Sequence, residues 1–464
     1  MNILIINVSL RKDSPVKLFP VGLGYIATAI KNAGFKFDLL DIDAHRYTDR
    51  QVEIFMQNKK YDVICLGCIV TGYKIIKELA LLIKKYHPYS IIIAGNSVAT
   101  SIPEILLRKT SVDIAVIGEG DDTIVEILNS ISEDKSLEDI KGICFLKDGI
   151  FIKTPERPYI KNISLLSFLD YSIFDIEVYI ENSKFSVPES LIITKDKREQ
   201  IRALPVNTAR GCIGKCTFCY HVFKDIKYRY RTAEAILEEI KLLIDNYRLN
   251  YIFFWDELTF YSKKQALNFA QKILDEGLHF YWHCPCRADL FYEDEDIYIL
   301  NKLKKAGCTG LGYSLESADS EILKTMNKNI SVEQFSKQTS LLKKVGIATW
   351  TSLVLGYPQE TPETIKKTFD CCIKNKIYPS SGFLLPQPGS EIYNYAIKTG
   401  FIQDEEDYLY KLGDRQDLRL NMTNMSDDDF KFYVKEGLKE CNKALNIGLN
   451  DDELIKTKYF RSTK

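Results

Sequence analysis

The sequence has no long apolar run, no recognisable secretory leader and almost no net charge. No window approaches the ~18 to 20 uninterrupted apolar residues that a membrane-spanning helix needs. The N-terminal MNILIINVSL is apolar, but it alternates like a strand and runs directly into Arg11, Lys12 and Asp13, so we expect no signal peptide. Lys and Arg (62) nearly balance Asp and Glu (63), which excludes a general attraction to nucleic acid or anionic membranes. These absences predict a cytoplasmic protein.

Internal repeats and low-complexity tracts are also missing, and the composition is that of a folded protein. The chain is 45% hydrophobic and 27% charged over 464 residues, a length that predicts two to four domains. Twelve cysteines without an export signal indicate reduced thiols, so a cysteine cluster here points to metal ligation before disulfides.

Residues 1–150 alternate short apolar strands with helical patterns, which predicts a doubly wound parallel sheet. The strands are almost continuously apolar, as expected when helices cover both faces. Two short runs around Lys147-Asp148-Gly149 predict a β-hairpin. The Pro-containing stretch 151–200 is interpreted as a linker.

A second alternation of strands and helices occupies residues 201–400. Six strand–helix repeats favour a partial (β/α)6 barrel of the TIM type, with its active face at the carboxyl ends of the strands. Residues 401–464 are polar and helical in pattern, and nothing in them identifies chemistry. The predicted fold is therefore α/β throughout, with a helical C-terminal region.

The most informative motif is a C-x3-C-x2-C loop that directly follows an apolar strand. It contains Cys212, Cys216 and Cys219. A [4Fe–4S] cluster usually takes four cysteine thiolates, so three ligands leave one iron open to a small molecule. An open metal position is typical of a catalytic centre. Gly211 and Gly214 allow the backbone to fold closely around the cluster.

Two simpler interpretations of the cysteines remain open at this point. A zinc knuckle would need a second pair of ligands, and neither a C-x2-C nor an H-x3-H pair follows nearby. Free cysteines are often buried without any ligand role. The first alternative is disfavoured by spacing, and the second leaves the C-x3-C-x2-C pattern unexplained.

The loop and the strand ends behind it resemble the radical S-adenosylmethionine (SAM) superfamily. The resemblance implies that the cluster cysteines bind iron and that SAM binds the open iron. Phe218 falls beside the adenine, Asp256 and Glu257 near the SAM amino group, and Gly356 in the adenine-side turn. Arg287, Ser314 and Glu316 fall near the SAM carboxylate and ribose. No catalytic acid or base is implied.

Residues 1–150 resemble the cobalamin-binding domain that often precedes a radical SAM barrel. The implied cobalamin-binding positions are Gly22, Thr71, Gly72, Gly95, Asn96, Gly118, Glu119 and Gly120. Glycines at strand ends let a large ligand approach backbone amides, as in other doubly wound sheets. Asp43-Ala44-His45 is similar to the start of a D-x-H-x-x-G motif, but Thr48 stands in place of its glycine. We therefore expect His45 to be a surface residue and not a cobalt ligand.

The combined resemblance is to cobalamin-dependent class B radical SAM methyltransferases. It implies methyl transfer from methylcobalamin to an unactivated carbon through a 5′-deoxyadenosyl radical, with an electron donor such as a flavodoxin. The substrate would be a small molecule or peptide, with no nucleic acid partner. A radical rearrangement, cyclisation or dehydration without methyl transfer is the first alternative, and a non-catalytic corrinoid or redox sensor is the second.

Methylthiotransferases share the same barrel and a similar domain order. They carry further cluster cysteines in the N-terminal domain and a basic C-terminal RNA-binding domain. Here Cys65 and Cys68 lie on one apolar strand, and the tail is acidic around 427–429. The sequence therefore disfavours that function.

Overall fold

The computed structural model describes residues 1–185, 187, 200–224 and 226–455. Part of the predicted linker 151–200 and the last nine positions of the region 401–464 lie outside the described residues. No described helix is long and apolar enough to cross a bilayer.

The N-terminal unit is a seven-stranded sheet with the order β2-β1-β3-β4-β5-β6-β7. Its first five strands in chain order are parallel, as the sequence predicted, and β6 and β7 add an antiparallel edge. The strands are β1 (Ile3–Asn7), β2 (Phe37–Asp41), β3 (Val63–Gly67), β4 (Ile91–Gly95), β5 (Ile114–Val116), β6 (Ile143–Lys147) and β7 (Ile150–Lys153). The predicted hairpin is confirmed: Asp148 and Gly149 between β6 and β7 both have positive φ, at 51° and 78°.

Helices cover both faces of this sheet, which explains why its strands are apolar on both sides. They are Val21–Asn32, Ile42–His45, Asp49–Asn58, Tyr73–Tyr86, Asn96–Ser101, Pro103–Lys109 and Asp121–Ser132. The chain order of the strands reverses between β1 and β3, and ligands of doubly wound sheets bind in the crevice at such a point. The predicted cobalamin positions follow β1, β3, β4 and β5, so they share the carboxyl edge of the sheet.

The second unit is a partial barrel of six strand positions, as predicted. Its strands are β8 (Ala203–Val206), β9 (Ala209–Arg210), β10 (Arg229–Tyr230), β11 (Tyr251–Phe254), β12 (Tyr281–Pro285), β13 (Cys308–Gly312), β14 (Ala348–Trp350), β15 (Ser352–Leu355) and β16 (Ser380–Phe383). Five of them form the parallel sheet β14-β13-β12-β11-β8. The fifth position is split at Thr351, so that β14 pairs with β13 while β15 pairs with β16. The short antiparallel pair β9-β10 frames the cysteine loop.

Helices follow the barrel strands and continue into the C-terminal region. They are Ala233–Tyr247, Lys263–Asp275, Asp296–Lys305, Ser320–Thr325, Val332–Val345, Pro362–Lys374, Glu391–Lys398, Glu405–Lys411 and Asp427–Ala444. The last of these packs closely on Pro362–Lys374, because a Cβ at Gly437 would lie 2.1 Å from the Phe369 ring. The C-terminal region thus completes the outer wall of the barrel.

The segment between the two units contains the short helix Ile176–Asn182. From it, the Tyr179 hydroxyl donates to Asp41 at 2.6 Å and accepts from the Asn7 amide at 3.1 Å. These buried contacts attach the segment to the ends of β1 and β2.

Candidate radical SAM and cobalamin site

The cysteine loop lies between β9 and β10 at the mouth of the barrel. Its three thiols are the only partly exposed cysteines of the chain, and the other nine are buried. Gly211 has φ +92°, a conformation that favours glycine. The Gly214 amide donates to the Cys212 sulfur at 3.3 Å, and a Cβ on Gly214 would lie 3.5 Å from that sulfur. The loop therefore directs its sulfurs inward around a glycine.

Electrostatics at the loop combine burial with nearby cations. Burial raises the pKa of Cys219 to about 12 and that of Cys216 above its usual value, while Lys328 opposes the shift at both thiols. Thiolates in this position therefore need a metal or a cation for stability. Among the described residues, no three His, Cys, Asp or Glu side chains converge on one metal ion. A cubane suits this arrangement, because its cysteines bind separate irons.

A cavity of about 280 Å³ opens beside the loop. Cys212 and Cys216 line it together with three of the predicted SAM positions, Glu257, Arg287 and Ser314. Lys328 and Trp350 also line it, and the sequence had indicated neither. Trp350 lies flat over Gly312, where a Cβ would be 2.1 Å from the indole. The structure thus brings three of the seven predicted SAM positions to one cavity next to the thiols.

Glu316 pairs with Lys328, which lines this cavity, and is held in a strained conformation. Its φ is +64°, and its side chain is buried. Lys328 donates to Oε1 at 2.8 Å, whereas Oε2 is buried without a hydrogen-bond partner. An unsatisfied buried carboxylate oxygen is costly unless a ligand hydroxyl completes it. Glu316 therefore fits a contact to a ribose hydroxyl of SAM.

Arg287 is fixed rather than free. Its Nε and Nη2 donate to Asp289 at 2.8 and 2.9 Å, and Nη2 also donates to the Asn329 carbonyl at 3.1 Å. Its Nη1 lies near Gly214 in the cysteine loop. The guanidinium is thus a preorganised positive charge at the cluster side of the cavity.

Asp256 is turned away from the cavity. Its two oxygens accept hydrogen bonds from the Thr208 and Ala209 amides and from the hydroxyls of Thr208 and Thr259. Burial raises its pKa to about 6. Asp256 therefore stabilises the turn between β8 and β9 through these hydrogen bonds. Its neighbour Glu257 lines the cavity instead.

Phe218 and Gly356 lie behind the cavity. Phe218 packs against the hydrophobic core that joins the barrel helices to the first sheet. Gly356 has φ +114°, and a Cβ there would lie 3.0 Å from Phe430. Its amide donates to Glu360, which also accepts from the Thr364 hydroxyl. Glu360 thus braces the turn that was predicted to face the adenine.

The buried Glu360 makes stability depend on pH. Burial raises the pKa of Glu360 from 4.5 in the unfolded chain to about 7 in the folded protein. Between these pH values the folded protein binds one proton more than the unfolded chain. The free energy of unfolding therefore falls as pH rises, and the contribution of the protonated Glu360 is lost once pH passes about 7. We expect Glu360→Gln to gain stability relative to wild type from pH 5 to pH 8, by on the order of 2 kcal/mol. Urea midpoints of both proteins at four pH values measure this. A constant difference across that range would contradict it.

At the carboxyl edge of the first sheet, some of the predicted cobalamin positions have free space around the backbone and others are packed against side chains. A Cβ at Gly22, Gly95 or Gly118 would meet no atom within 4 Å. Asn96 has φ +68°, and Thr71 lies in the short helix 70–72 after β3. By contrast, Gly72 packs against Cys68 and Leu10, and Gly120 packs against Ile26. The open backbone after β1, β4 and β5 fits the approach of a large ligand. His45 is exposed, as expected.

Glu119 has a different environment from its predicted one. It accepts from Arg210 at 2.6 Å, from Arg229 at 2.9 Å and from the Ile160 amide at 2.7 Å, all within a buried network. Arg210 also binds Asp121 at 3.0 Å. Although burial opposes its charge, the two carboxylates raise the pKa of Arg210. Since Arg210 is two residues before Cys212, Glu119 connects the first sheet to the cysteine loop.

Family models account for both units. Residues 206–372 match the radical SAM superfamily, and residues 10–128 match the B12 binding domain. The chain is a radical SAM enzyme with a B12 binding domain. A radical SAM domain carries a [4Fe–4S] cluster and SAM, and a B12 binding domain carries cobalamin, so these three are its cofactors.

The known proteins that this radical SAM enzyme resembles include both methyltransferases and cyclases. It is 26% identical to an uncharacterized methyltransferase of Pyrococcus horikoshii, over 82% of this chain and 79% of the relative. It is also 26% identical to the anaerobic magnesium-protoporphyrin IX monomethyl ester cyclase of Rubrivivax gelatinosus, over 75% of this chain and 61% of that longer protein. Its fold is similar to that of the radical SAM methyltransferase TsrM of Kitasatospora setae, with a TM-score of 0.68, 17% identity and coverage of 86% and 78%.

Sequence patterns missed several residues of this radical SAM site. Lys328 lies in the loop after the helix Ser320–Thr325 and Trp350 ends β14, so no local signal marks them. Arg210 had a usable signal, because it stands beside the Gly211-Cys212 start of the motif. Its partner Glu119 is 91 positions away in sequence, and only the tertiary structure connects them.

Proposed function

We propose that this radical SAM enzyme transfers a methyl group from methylcobalamin to an unactivated carbon. When bound, the three cofactors supply the methyl group and a 5′-deoxyadenosyl radical that removes hydrogen from the substrate carbon. The observation that carries the proposal is the junction of the two units. Arg11, in the loop after β1 of the B12 binding domain, donates to Asp414 of the barrel side at 2.9 Å. Cofactors in the two units would then face one substrate space.

The chain's own residues position and shield the reacting groups. Cys212, Cys216 and Cys219 would hold the cluster, and Glu316 would accept a hydrogen bond from a SAM hydroxyl. Gly22, Gly95 and Gly118 leave room for the corrin. Asp256 keeps the turn before the cysteine loop in place through the five hydrogen bonds that it accepts, one of them from the Asn207 side-chain amide.

The same chemistry implies an electron donor, and we propose a flavodoxin-like reductant in the cytoplasm. The balanced charge of 62 basic and 63 acidic residues favours a small molecule or peptide substrate over nucleic acid.

The test is anaerobic reconstitution with iron, sulfide and hydroxocobalamin, followed by turnover with dithionite and SAM that carries a CD3 methyl group. We expect about four irons and one cobalamin per chain, 5′-deoxyadenosine, and S-adenosylhomocysteine from the methyl-donating SAM. Mass spectrometry of candidate substrates then reports a gain of the CD3 group. Failure to load the cluster, or a bound cobalamin that never accepts a methyl group, would refute the proposal.

A second candidate is a radical cyclisation or rearrangement without methyl transfer. It is supported by the similarity to the Rubrivivax gelatinosus cyclase. The same assay separates the two, because the second candidate forms 5′-deoxyadenosine without S-adenosylhomocysteine.

A further inference from the structure

Arg415 is a cation that lies against β16 on the inner side of the barrel. Its stem lies flat on β16, where a Cβ at Gly382 would be 2.9 to 3.1 Å from Cδ, Cγ and Nε. Nη2 donates to the Ser380 hydroxyl at 3.2 Å and approaches the Ser380 carbonyl at 3.5 Å. The Phe383 amide donates to the Arg415 carbonyl at 2.8 Å, which fixes the segment that carries it. The glycine therefore makes room for this side chain.

The strand register shows which way Arg415 faces. Ser352 of β15 lines the cavity beside the cysteine loop, and its register partner in β16 is Ser380. Paired residues of neighbouring strands point to the same face, so Ser380 and Gly382 also face the barrel interior. Because Arg415 contacts both, its guanidinium lies on the interior face, one strand away from the cavity.

The charge of Arg415 is poorly compensated. Within the described part of the chain, its hydrogen bonds go to Ser380 alone and no carboxylate forms an ion pair with it. Other interior cations near the cavity are paired, Arg287 with Asp289 and Lys328 with Glu316. Burial lowers the pKa of Arg415, because removing the guanidinium from water disfavours its charged form. An arginine kept partly buried without a carboxylate is poised for an anion from outside the chain.

Arg415 is within electrostatic reach of residues from both units. Its charge interacts with Glu316, which pairs with Lys328 of the SAM cavity, and with Arg11 of the B12 binding domain. Its neighbour Asp414 forms an ion pair with Arg11. A substrate bound at the junction of the two units would be within reach of this guanidinium.

We infer that the substrate of this enzyme carries an anionic group, a carboxylate or a phosphate-type group, and that Arg415 binds it. The inference rests on the proposed function for the meaning of substrate, but its test requires no turnover. Arg415 holds two oxygens of the anion with the fork of its guanidinium, and Trp350 bounds the space on the cavity side. A planar, bidentate contact of this kind fixes the orientation of the substrate relative to the cofactors.

The test is isothermal titration of the reconstituted holoenzyme with phenylphosphonate, benzoate and the neutral control benzamide. We expect at least one anion to bind, and Arg415→Met to weaken that binding about 10- to 100-fold. Phenylphosphonate and benzoate distinguish a phosphate-type site from a carboxylate site. Arg415→Lys should retain part of the affinity, because it keeps the charge without the fork. Arg419→Met, which removes a surface arginine of the same segment, should leave binding unchanged.

SAM affinity and cobalamin content of each variant identify other uses of Arg415. A weaker SAM dissociation constant in Arg415→Met would show that the residue serves the SAM carboxylate, and loss of cobalamin would assign it to the corrin. Either result overturns the inference, as does binding of neither anion or equal binding to wild type and Arg415→Met. Failure of methyl transfer with intact anion binding would instead overturn only the proposed function.

Discussion

Replacing Cys216 with alanine is expected to lower 5′-deoxyadenosine formation by more than about 100-fold. Loss of a supporting group around a metal ligand already costs 10- to 100-fold, so loss of a ligand itself costs more. Cys216 has no substitute nearby, because the nine cysteines outside the loop are buried in the cores of the two units. The iron content should fall together with the product. Iron analysis and a dithionite plus SAM assay on the reconstituted variant measure both quantities.

The matched control is Cys371→Ala. Cys371 is a buried thiol in the helix Pro362–Lys374, where its sulfur accepts from the Asn375 amide. Its removal should reduce stability slightly while leaving four irons and full SAM cleavage. Equal activity of Cys216→Ala and wild type would show that the loop does not hold the cluster.

Replacing Glu119 with glutamine is expected to destabilise the protein by about 3 kcal/mol, since breaking a buried ion pair leaves an uncompensated charge. Arg229 depends on this carboxylate most, because its Nη1 contacts both Glu119 oxygens at 2.9 Å and its side chain is only 6% exposed. Arg210 keeps Asp121 as a second partner. Urea unfolding of the reconstituted protein measures the loss.

A second effect of Glu119→Gln should reach the cluster. Arg210 pairs with Arg229 across β9 and β10 and leads directly into the cysteine loop. A loosened Arg210 should make the cluster more accessible, so iron should leave faster in the presence of a chelator. This readout separates the connection to the loop from general instability.

Glu126→Gln is the control for this network. Glu126 lies on the helix Asp121–Ser132 and forms an ion pair with Arg157; the Glu126 side chain is 48% exposed, and that of Arg157 is 16% exposed. Exposed pairs contribute about 0 to 1 kcal/mol, so stability and iron retention should hardly change. Similar losses in the two variants would mean that Glu119 has no special role at the junction.

Local patterns in the sequence predicted the two units because each pattern depends on neighbours along the chain. Alternating apolar strands and helices indicated both sheets, and Asp148-Gly149 indicated the hairpin between β6 and β7. The three-cysteine spacing indicated the cluster loop in the same way. Glycines and acidic residues at strand ends indicated the ligand edges, since strand ends of parallel sheets lie together.

Contacts between distant segments were beyond the reach of such patterns. Asp256 and Glu257 are adjacent in sequence, but only the fold decides that one clamps Thr208 while the other faces the cavity. The sequence showed Glu119 only as a polar residue after a strand. In the structure, two arginines from the barrel, Arg210 and Arg229, donate hydrogen bonds to its carboxylate.

The sequence by itself thus determined the α/β architecture and the order of the two units, and it predicts the cluster cysteines, because periodicity and ligand spacing are local properties. The tertiary structure decided which charges are compensated. Pairing depends on which side chains meet across the fold, and this separates Arg287, which pairs with Asp289, from Arg415, for which the described residues supply a serine but no carboxylate. The direction in which each side chain points is likewise set by strand register and packing, not by sequence spacing.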